Sequence, residues 1–500
     1  MIIILILLVA LGVLVWGFNR ARPYGKPGLL AWLQSVVLMA PWLLVFSLFS
    51  LGIFINLAAI LVILVLSTVA YIYLGNQLRA LGQDASAFRR PSAVASEEPS
   101  GQTEVISSSE APSPTSDVVK PTLAVEKIPA EDLQKIKEIF GVDTFFAIET
   151  IPYMDGAIFK GNLRGDAAET HQSLSARLEE RMGDRYRLFL LNDPTERPTV
   201  VILPSQNDPK PTTLTQKLFA LVLALATLAT CLEAAGILLG FDLSTEVARI
   251  PETLAIGGGL LSILAVHEVA HRWVARRYQV RLSPPFFLPA WQLGSLGSLV
   301  RFESLLPNRN VLFDISLAGP AAGGLLAFIF LIIGLSLSHQ GGIQTGSLFP
   351  LQSEFFQGSI LVGTMARIIL GEAVQQPYIE VHPLVVVGWL GLIINAINLM
   401  PAGQLDGGRI VQAIYGRKVA GRTTAATLII LGVASLVNPL ALYWAIVILF
   451  LQRDLERPAL NELTEPDDAR AAFALLALFL MAATLLPLTP GLSGRLGIGG

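Results

Sequence analysis

The sequence predicts an α-helical membrane protein that crosses the bilayer about 8–10 times and carries one small cytoplasmic α+β domain. Hydrophobic residues make up 53% of the 500 positions and charged residues only 15%, whereas soluble proteins average about a quarter charged. The mean hydropathy is +0.61. With a net charge of −3, the chain lacks the excess of basic residues that is typical of nucleic-acid-binding proteins. The single cysteine, Cys231, excludes an intramolecular disulfide scaffold and metal clusters ligated by several cysteines.

Residues 1–79 are predicted to form a transmembrane anchor and a helical hairpin. The run 1–18 is almost wholly apolar and is followed, not preceded, by basic residues, which indicates an uncleaved anchor with its N-terminus outside. The apolar runs 29–49 and 52–74 are almost adjacent, so we expect a tight hairpin. Residues 80–127 are rich in Ser, Pro and Glu and poor in large apolar side chains, which predicts a disordered tether.

One soluble α+β domain is predicted at 128–210. Its hydrophobic pattern changes from helical to alternating spacing several times over about 80 residues. The pattern predicts helices at 128–139 and 169–182 and strands at 144–150, 157–160, 186–191 and 199–203. The domain contains no evident catalytic set, so we expect it to gate access or to recruit substrate.

Residues 211–487 are predicted to form a second membrane region, followed by a C-terminal tail at 488–500. The stretch 424–452 is too long for one ordinary span and is interrupted by an Asn-Pro pair, so we expect a re-entrant segment or a tight hairpin there. The segment 356–371 is short and contains an arginine, which predicts an interfacial or re-entrant helix. The remaining spans are predicted at 214–240, 253–275, 311–337, 384–401 and 471–487.

Basic residues predict the orientation of this region. Loop 272–309 contains six arginines and segment 402–423 contains four basic residues, whereas 338–382 and 241–251 contain one arginine each. Because basic residues favour the cytoplasmic side, the first two segments are predicted to face the cytoplasm. The soluble domain follows the basic end of the third span and is also predicted to be cytoplasmic.

The sequence His267-Glu268-Val-Ala-His271 lies inside the predicted span 253–275. Histidines at positions i and i+4 project from one face of a helix, where both can bind one zinc ion with the glutamate beside its water. The alternative is a buried structural Glu–His or Glu–Arg pair. An ionisable residue in a membrane span costs about 2.5–3.5 kcal/mol on insertion scales and is normally functional, so the metal site is favoured.

A zinc site needs a third protein ligand and one open position. His171 lies in the soluble domain, and His339 and His382 are predicted on the opposite face of the membrane. Asp406 follows span 384–401 in a segment rich in Pro and Gly that can bend toward the metal, although an aspartate in such a segment can also be a helix cap or turn residue. Topology favours the ligand, because both spans end at the cytoplasmic face.

These motifs resemble those of the site-2-protease family of intramembrane zinc metalloproteases. The family pattern combines HExxH with N-x-x-P-x-x-x-L-D-G, and every fixed position of the second motif is present from Asn398 to Gly407. The resemblance covers about residues 214–452, including the glycine-rich start of the intervening helix at 319–324. It implies one Zn²⁺ per chain, held by His267, His271 and Asp406, with Glu268 as general base and Asn398 contacting the substrate backbone or the oxyanion.

The motif Gly-Asn-Leu-Arg at 161–164 resembles that of the plastid and cyanobacterial branch, which includes the ethylene-dependent gravitropism-deficient and yellow-green proteases. No Ser- and Arg-rich transit segment precedes the first apolar run, which favours a cyanobacterial plasma or thylakoid membrane. The expected partners are the lipid bilayer and single-span membrane-protein substrates. By the same resemblance, the Gly-interrupted segment 282–306 forms a hairpin that adds a strand to unwound substrate, although a plain interfacial loop fits this composition equally well.

Two other functions are compatible with the motifs. A non-catalytic membrane chaperone or transporter could retain a residual metal site, but zinc binding alone does not require the intact Glu268. A membrane-embedded zinc protease acting on soluble or lipidated chains would need a large aqueous chamber, which a sequence does not reveal. The sequence therefore favours regulated proteolysis within the membrane, and it leaves the oligomeric state open.

Overall fold

A computed structural model describes residues 128–500 apart from 154, 194, 292, 340–348, 437, 450–453 and 499–500, with single positions scattered between 18 and 77. The chain divides into two compact units, 1–120 and 121–500. The predicted N-terminal spans and the tether at 80–127 lie outside the described residues apart from those single positions. The total of about 8–10 spans therefore stays a prediction.

The α+β region at 128–210 contains all six predicted elements. Its sheet is antiparallel in the order β1-β2-β4-β3. Apolar side chains from both helices and the inner sheet face form its core, and burial with a hydrogen bond to Asp132 raises the pKa of Tyr186 to about 12. The elements are α1 (Ala130–Lys137), β1 (Phe145–Tyr153), β2 (Gly156–Leu163), α2 (Ala167–Met182), β3 (Tyr186–Asn192) and β4 (Pro198–Pro204).

The remainder is mainly helical, and four of its described helices are long and apolar enough to cross a membrane. Three of them, α3 (Leu214–Leu238), α4 (Ile250–Arg277) and α5 (Arg309–His339), follow the predicted spans closely. The fourth is α10 (Asp468–Leu485). The predicted span 384–401 is a shorter apolar helix, α7 (Pro383–Asn398), because the chain leaves helical geometry before Pro401.

Helix α8 (Asp406–Ala434) begins at Asp406. The basic segment 402–423 is therefore mostly helical, and Asp406 is the first residue of a helix. Gly407 and Gly408 allow the chain to turn tightly into this helix. A Cβ at Gly407 would lie 1.9 Å from the Leu399 carbonyl oxygen, and one at Gly408 would lie 2.3 Å from the Gly403 carbonyl oxygen.

The long stretch 424–452 is broken where the Asn-Pro pair predicts a break. Helix α8 ends at Ala434 and α9 (Pro439–Val447) starts at the proline. Leu428 and Leu431 pack in one cluster with Trp444 and Val447, so the chain turns back on itself.

The long segment between α5 and α7 contains more structure than a loop. Strands β7 (Phe349–Gln352) and β8 (Tyr378–Val381) pair antiparallel and bracket the short helix α6 (Ile360–Leu370), which lies within the segment predicted to be an interfacial or re-entrant helix. The sequence predicts neither strand, since each is only four residues long. The predicted tail 488–500 contains α11 (Pro490–Leu496), and Leu488 and Ile498 are buried in the apolar cluster that also contains residues of α3, α4, α5 and α7.

The Gly-interrupted segment after α4 forms the predicted hairpin, with β5 (Phe286–Ala290) antiparallel to β6 (Gly294–Leu299). A further extended stretch, which we name the connecting segment (456–464), lies between the hairpin region and the small domain. Leu460 accepts a hydrogen bond from Leu190 of β3 at 2.8 Å and donates one to Leu306 at 2.8 Å. The connecting segment therefore joins the edge of the small sheet to the membrane region.

Candidate metal centre

Two histidines project from one face of α4 into the protein interior. His267 and His271 are one helical turn apart, and both are buried. Their Nε2 atoms lie 3.0 Å from each other. The spacing in the sequence predicts this convergence.

Asp406 completes the cluster from the start of α8. Its Oδ2 atom lies 3.4 Å from His267 Nε2 and 3.3 Å from His271 Nε2. The positive end of the α8 dipole favours a carboxylate at this position. In the part of the chain that the structure describes, these residues form the one group of three or more candidate metal ligands.

Hydrogen bonds to the Nδ1 atoms determine the tautomer of both histidines. His271 Nδ1 lies 2.7 Å from the Ile315 carbonyl oxygen, which can only accept. His267 Nδ1 lies 2.9 Å from Asn395 Oδ1, and the amide nitrogen of Asn395 donates to the Gly391 carbonyl at 2.8 Å. Both Nδ1 atoms therefore carry the proton, and both Nε2 atoms direct lone pairs at Asp406.

This donor set fits a zinc ion. Three electron-rich atoms converge at 3.0–3.4 Å, a mutually repulsive arrangement unless a cation or proton lies among them. Ligands about 2.0–2.2 Å from a tetrahedral zinc lie about 3.3 Å from one another. Two neutral imidazoles and one carboxylate are also a recurrent ligand set of catalytic zinc, which keeps a fourth position open.

Glycines of α5 provide the space in which the histidines lie. A Cβ at Gly319 would come within 2.1 Å of His271 Nε2, and one at Gly323 would come within 3.0 Å of the His267 Cβ. The glycine-rich start of α5 therefore lets this helix pack directly against the histidine face of α4.

Glu268 lies beside the cluster on the same helix and is buried. Its carboxylate accepts hydrogen bonds from Arg272 one turn away and from the Ser298 hydroxyl on β6. Arg272 also donates to the Ser283 carbonyl at 3.2 Å. Glu268 is thus oriented by its own helix and by the hairpin, at the wall of the metal centre.

Asn398 lies at the end of α7, close to the hairpin. Its amide nitrogen donates to the Ile394 carbonyl at 2.9 Å, and its side chain lies against Gly297. Gly297 has a φ of +102°, and a Cβ there would approach the Asn398 amide to 2.3 Å. A cavity of about 10 Å³, room for about one water molecule, is lined by Asn398 together with Glu268, His271, Ser298, Gln404 and Asp406.

The structure brings all five sequence-predicted site residues to one location, where α4 and α7 approach their ends and α5 begins. His171 is elsewhere, in the small domain, near the Leu188 carbonyl. Sequence reasoning assigned no role to Asn395, Ser298 or Arg409, which contact His267, Glu268 and Asp406 respectively. An asparagine inside the apolar run of α7 was the available signal for Asn395.

Comparison with known proteins gives the family. The sequence profile of peptidase family M50 matches residues 255–438, which contain all five site residues. The protein named "Probable zinc metalloprotease EGY1, chloroplastic" of Arabidopsis thaliana is 36% identical over 418 residues, covering 75% of this chain and 75% of that protein. The chain belongs to peptidase family M50. The site-2-protease resemblance of the motifs is thereby confirmed.

Other M50 relatives are similar over the same region. "Probable zinc metalloprotease EGY2, chloroplastic" of Arabidopsis thaliana is 37% identical over 369 residues, covering 72% of this chain. The chain spans slightly less than two thirds, 66%, of that relative. The rice protein "Probable zinc metalloprotease EGY3, chloroplastic" (Oryza sativa subsp. indica) is 34% identical over 391 residues, covering 73% of this chain and 66% of that protein.

The small domain also belongs to a described group. The profile of the EGY3 middle domain matches residues 134–210, nearly all of the α+β domain. The plastid and cyanobacterial branch suggested by Gly161 to Arg164 therefore agrees with the relatives. No solved structure matches the chain.

Proposed function

We propose that this M50 protein is an intramembrane zinc metalloprotease that hydrolyses peptide bonds in the transmembrane segments of single-span membrane proteins. The observation that carries the proposal is the convergence of His267, His271 and Asp406, with Glu268 at the wall of the same small cavity. The names of the relatives support it, since each is called a zinc metalloprotease or metallopeptidase. One Zn²⁺ per chain fits the donor set.

The residues take the following roles. A zinc ion held by His267, His271 and Asp406 would polarise the scissile carbonyl and acidify a water molecule in its open position. Glu268 accepts the proton of the attacking water and passes it to the leaving amine. Asn398 donates to the substrate backbone or to the developing oxyanion.

We propose that the hairpin presents the substrate to this centre. Strand β6 lies at the cavity, with Ser298 bonded to Glu268 and Gly297 against Asn398. The hairpin has only two strands, so one edge of each remains unpaired within the sheet. A substrate helix must unwind before its backbone can be cut, and an open strand edge can pair with the unwound backbone.

The location is part of the same proposal. We place the protein in a cyanobacterial plasma or thylakoid membrane, with the metal centre near the cytoplasmic face. The support is the chloroplastic label of the relatives and the arginine-rich segments that follow α4 and begin α8.

The test is Glu268→Gln in the purified protein, assayed with single-span substrates in liposomes. Because the amide cannot accept the proton, cleavage is expected to fall by about 10²–10⁴-fold, while zinc content stays at one ion per chain. Glu233→Gln is the matched control, since it also removes a buried carboxylate from a membrane helix, α3. Wild-type cleavage by Glu268→Gln, or cleavage that a zinc chelator does not reduce, would overturn the proposal.

A further inference from the structure

A second buried charge cluster lies directly behind Asp406. Arg409, one turn along α8, is 5% exposed, and Glu456 of the connecting segment is 7% exposed. The guanidinium lies 2.9 and 3.0 Å from Glu456 Oε2 through two of its nitrogens. Moving ions out of water into the protein interior has a large desolvation free energy, so a buried ion pair needs further hydrogen-bond partners to be stable.

The remaining contacts of Arg409 reach both sides of the metal centre. Its Nη1 lies 3.9 Å from Asp406 Oδ1, the carboxylate oxygen that faces away from the histidines. Its Nη2 donates to the Val300 carbonyl at 2.7 Å, and its guanidinium lies 4.8 Å from the centre of the Phe302 ring. Val300 directly follows β6, the strand that contacts Glu268 and Asn398.

Glu456 is itself held in place by α8, and the segment that contains it continues to the small domain. Its backbone nitrogen donates to Gln412 Oε1 at 3.0 Å, and its carbonyl accepts from Gln412 at 3.1 Å and from Arg417. Five and six residues further on, Asn461 and Glu462 pair with the backbone of β3 and of residues 306–308. The carboxylate that holds Arg409 therefore belongs to the segment that joins the small domain to the membrane region.

We propose that Arg409 is a positioning residue that sets the distance between the hairpin strand β6 and the metal ligand Asp406, with Glu456 holding its guanidinium in the required plane. Only a planar group with several donors can bind the Glu456 carboxylate, the Val300 carbonyl and the outer oxygen of Asp406 together. A lysine carries the same charge, but its single ammonium group lacks the planar arrangement of donors that these three contacts require. This inference rests on the proposed protease function and extends it to the geometry between substrate strand and metal.

The test compares Arg409→Lys, Arg409→Ala and Glu456→Gln with wild type. A small displacement of the reacting groups reduces turnover by about 10²-fold, so we expect kcat to fall by that order while KM changes little. Loss of a group that orients a metal ligand weakens metal affinity by about tenfold or more, measured by chelator competition. The Co²⁺-substituted protein should show an altered visible absorption spectrum, which reports the ligand geometry.

Chemical rescue separates positioning from general stability. Methylguanidinium added to Arg409→Ala should restore part of kcat, whereas methylammonium should not. Arg249→Gln is the control, because the partly exposed Arg249 also contacts two carboxylates and an aromatic ring, but at the opposite end of α4. It should leave zinc affinity, Co²⁺ spectrum and kcat unchanged.

The outcomes are distinguishable. If the wild type binds zinc but cleaves no substrate, the protease function fails, while zinc affinity and the Co²⁺ spectrum still test Arg409. If the wild type cleaves and both Arg409→Lys and Glu456→Gln match it in kcat and zinc affinity, the positioning role is overturned. Equal losses in Arg249→Gln would overturn it as well. Should Arg409→Ala fail to fold, Arg409→Lys and Glu456→Gln carry the test.

Discussion

Single residues at the metal centre are tied to partners that are far away in the chain. His267 is oriented by Asn395, 128 positions later, and Arg409 is held by Glu456, 47 positions later. A motif contains its own ligands but not these partners. The HExxH spacing therefore predicts two ligands, while the groups that fix their tautomer and orientation come from packing.

Gly319→Ala is expected to damage the metal centre without unfolding the protein. The added methyl group would lie 2.1 Å from His271 Nε2, so the ring must move away from the ligand position. We expect zinc affinity to fall by at least about tenfold and cleavage with it, measured by chelator competition and by a liposome assay.

The control for this prediction is Gly324→Ala, in the same helix. A Cβ at Gly324 has its nearest neighbour at 4.0 Å, so the methyl group fits, and alanine is the better helix former. Zinc affinity of Gly324→Ala should equal that of the wild type. Normal zinc affinity in Gly319→Ala would contradict the packing argument.

At the scale of elements, the connecting segment joins parts of the protein that the sequence presents as separate regions. Its backbone pairs with β3 on one side and with residues 306–308 on the other. The hydropathy pattern predicts most helices because the apolar residues recur at helical spacing or fill a membrane span. It does not predict the connecting segment, which is short and polar and owes its extended form to its neighbours.

Asn461→Ala is expected to destabilise the protein. The buried Asn461 side chain contacts the Ala167 carbonyl at 3.4 Å and Thr464 Oγ1 at 2.8 Å, and it accepts from the Leu463 and Thr464 backbone. Loss of these bonds should cost about 1–3 kcal/mol, seen as a lower melting temperature in detergent. Asn192→Ala, at an exposed end of β3, should melt like the wild type. An unchanged melting temperature for Asn461→Ala would show that the segment is not held by this side chain.

At the scale of the whole molecule, the membrane region is held by close helix contacts made by small residues. A Cβ at Gly388 would lie 2.4 Å from the Leu331 nitrogen, and one at Gly391 would lie 2.4 Å from Ile263 Cδ1. Lipid provides no hydrophobic force between helices, so such contacts supply the packing energy. Large apolar residues such as Leu225, Ile329 and Phe479 remain exposed on the outer faces, as expected for helices in lipid.

Zinc removal is therefore expected to abolish cleavage but not the fold. Because the helices pack without the metal, a chelator should leave the helical circular dichroism signal unchanged. The melting temperature should fall only by the amount that corresponds to the lost free energy of zinc binding. Added Zn²⁺ should restore cleavage. A loss of helical signal on chelation would mean that the metal, not the helix contacts, holds this region together.

The sequence alone predicted the membrane class, the small domain with its six elements, and the residues His267, Glu268, His271 and Asp406 as one candidate site. These follow from local periodicity, motif spacing and charge bias, which act over a few residues. Asn398 was added by the family resemblance, and the sequence left the hairpin and a plain loop as equal alternatives.

Only the tertiary structure decided that Asp406 begins a helix, that the apolar stretch after it turns back on itself, and that residues 488–498 pack into the core. It also identified Asn395, Ser298 and the Arg409–Glu456 pair. The physical reason is the same for all: each depends on contacts between residues far apart in the chain, which determine packing, hydrogen bonding and charge burial but leave no local pattern.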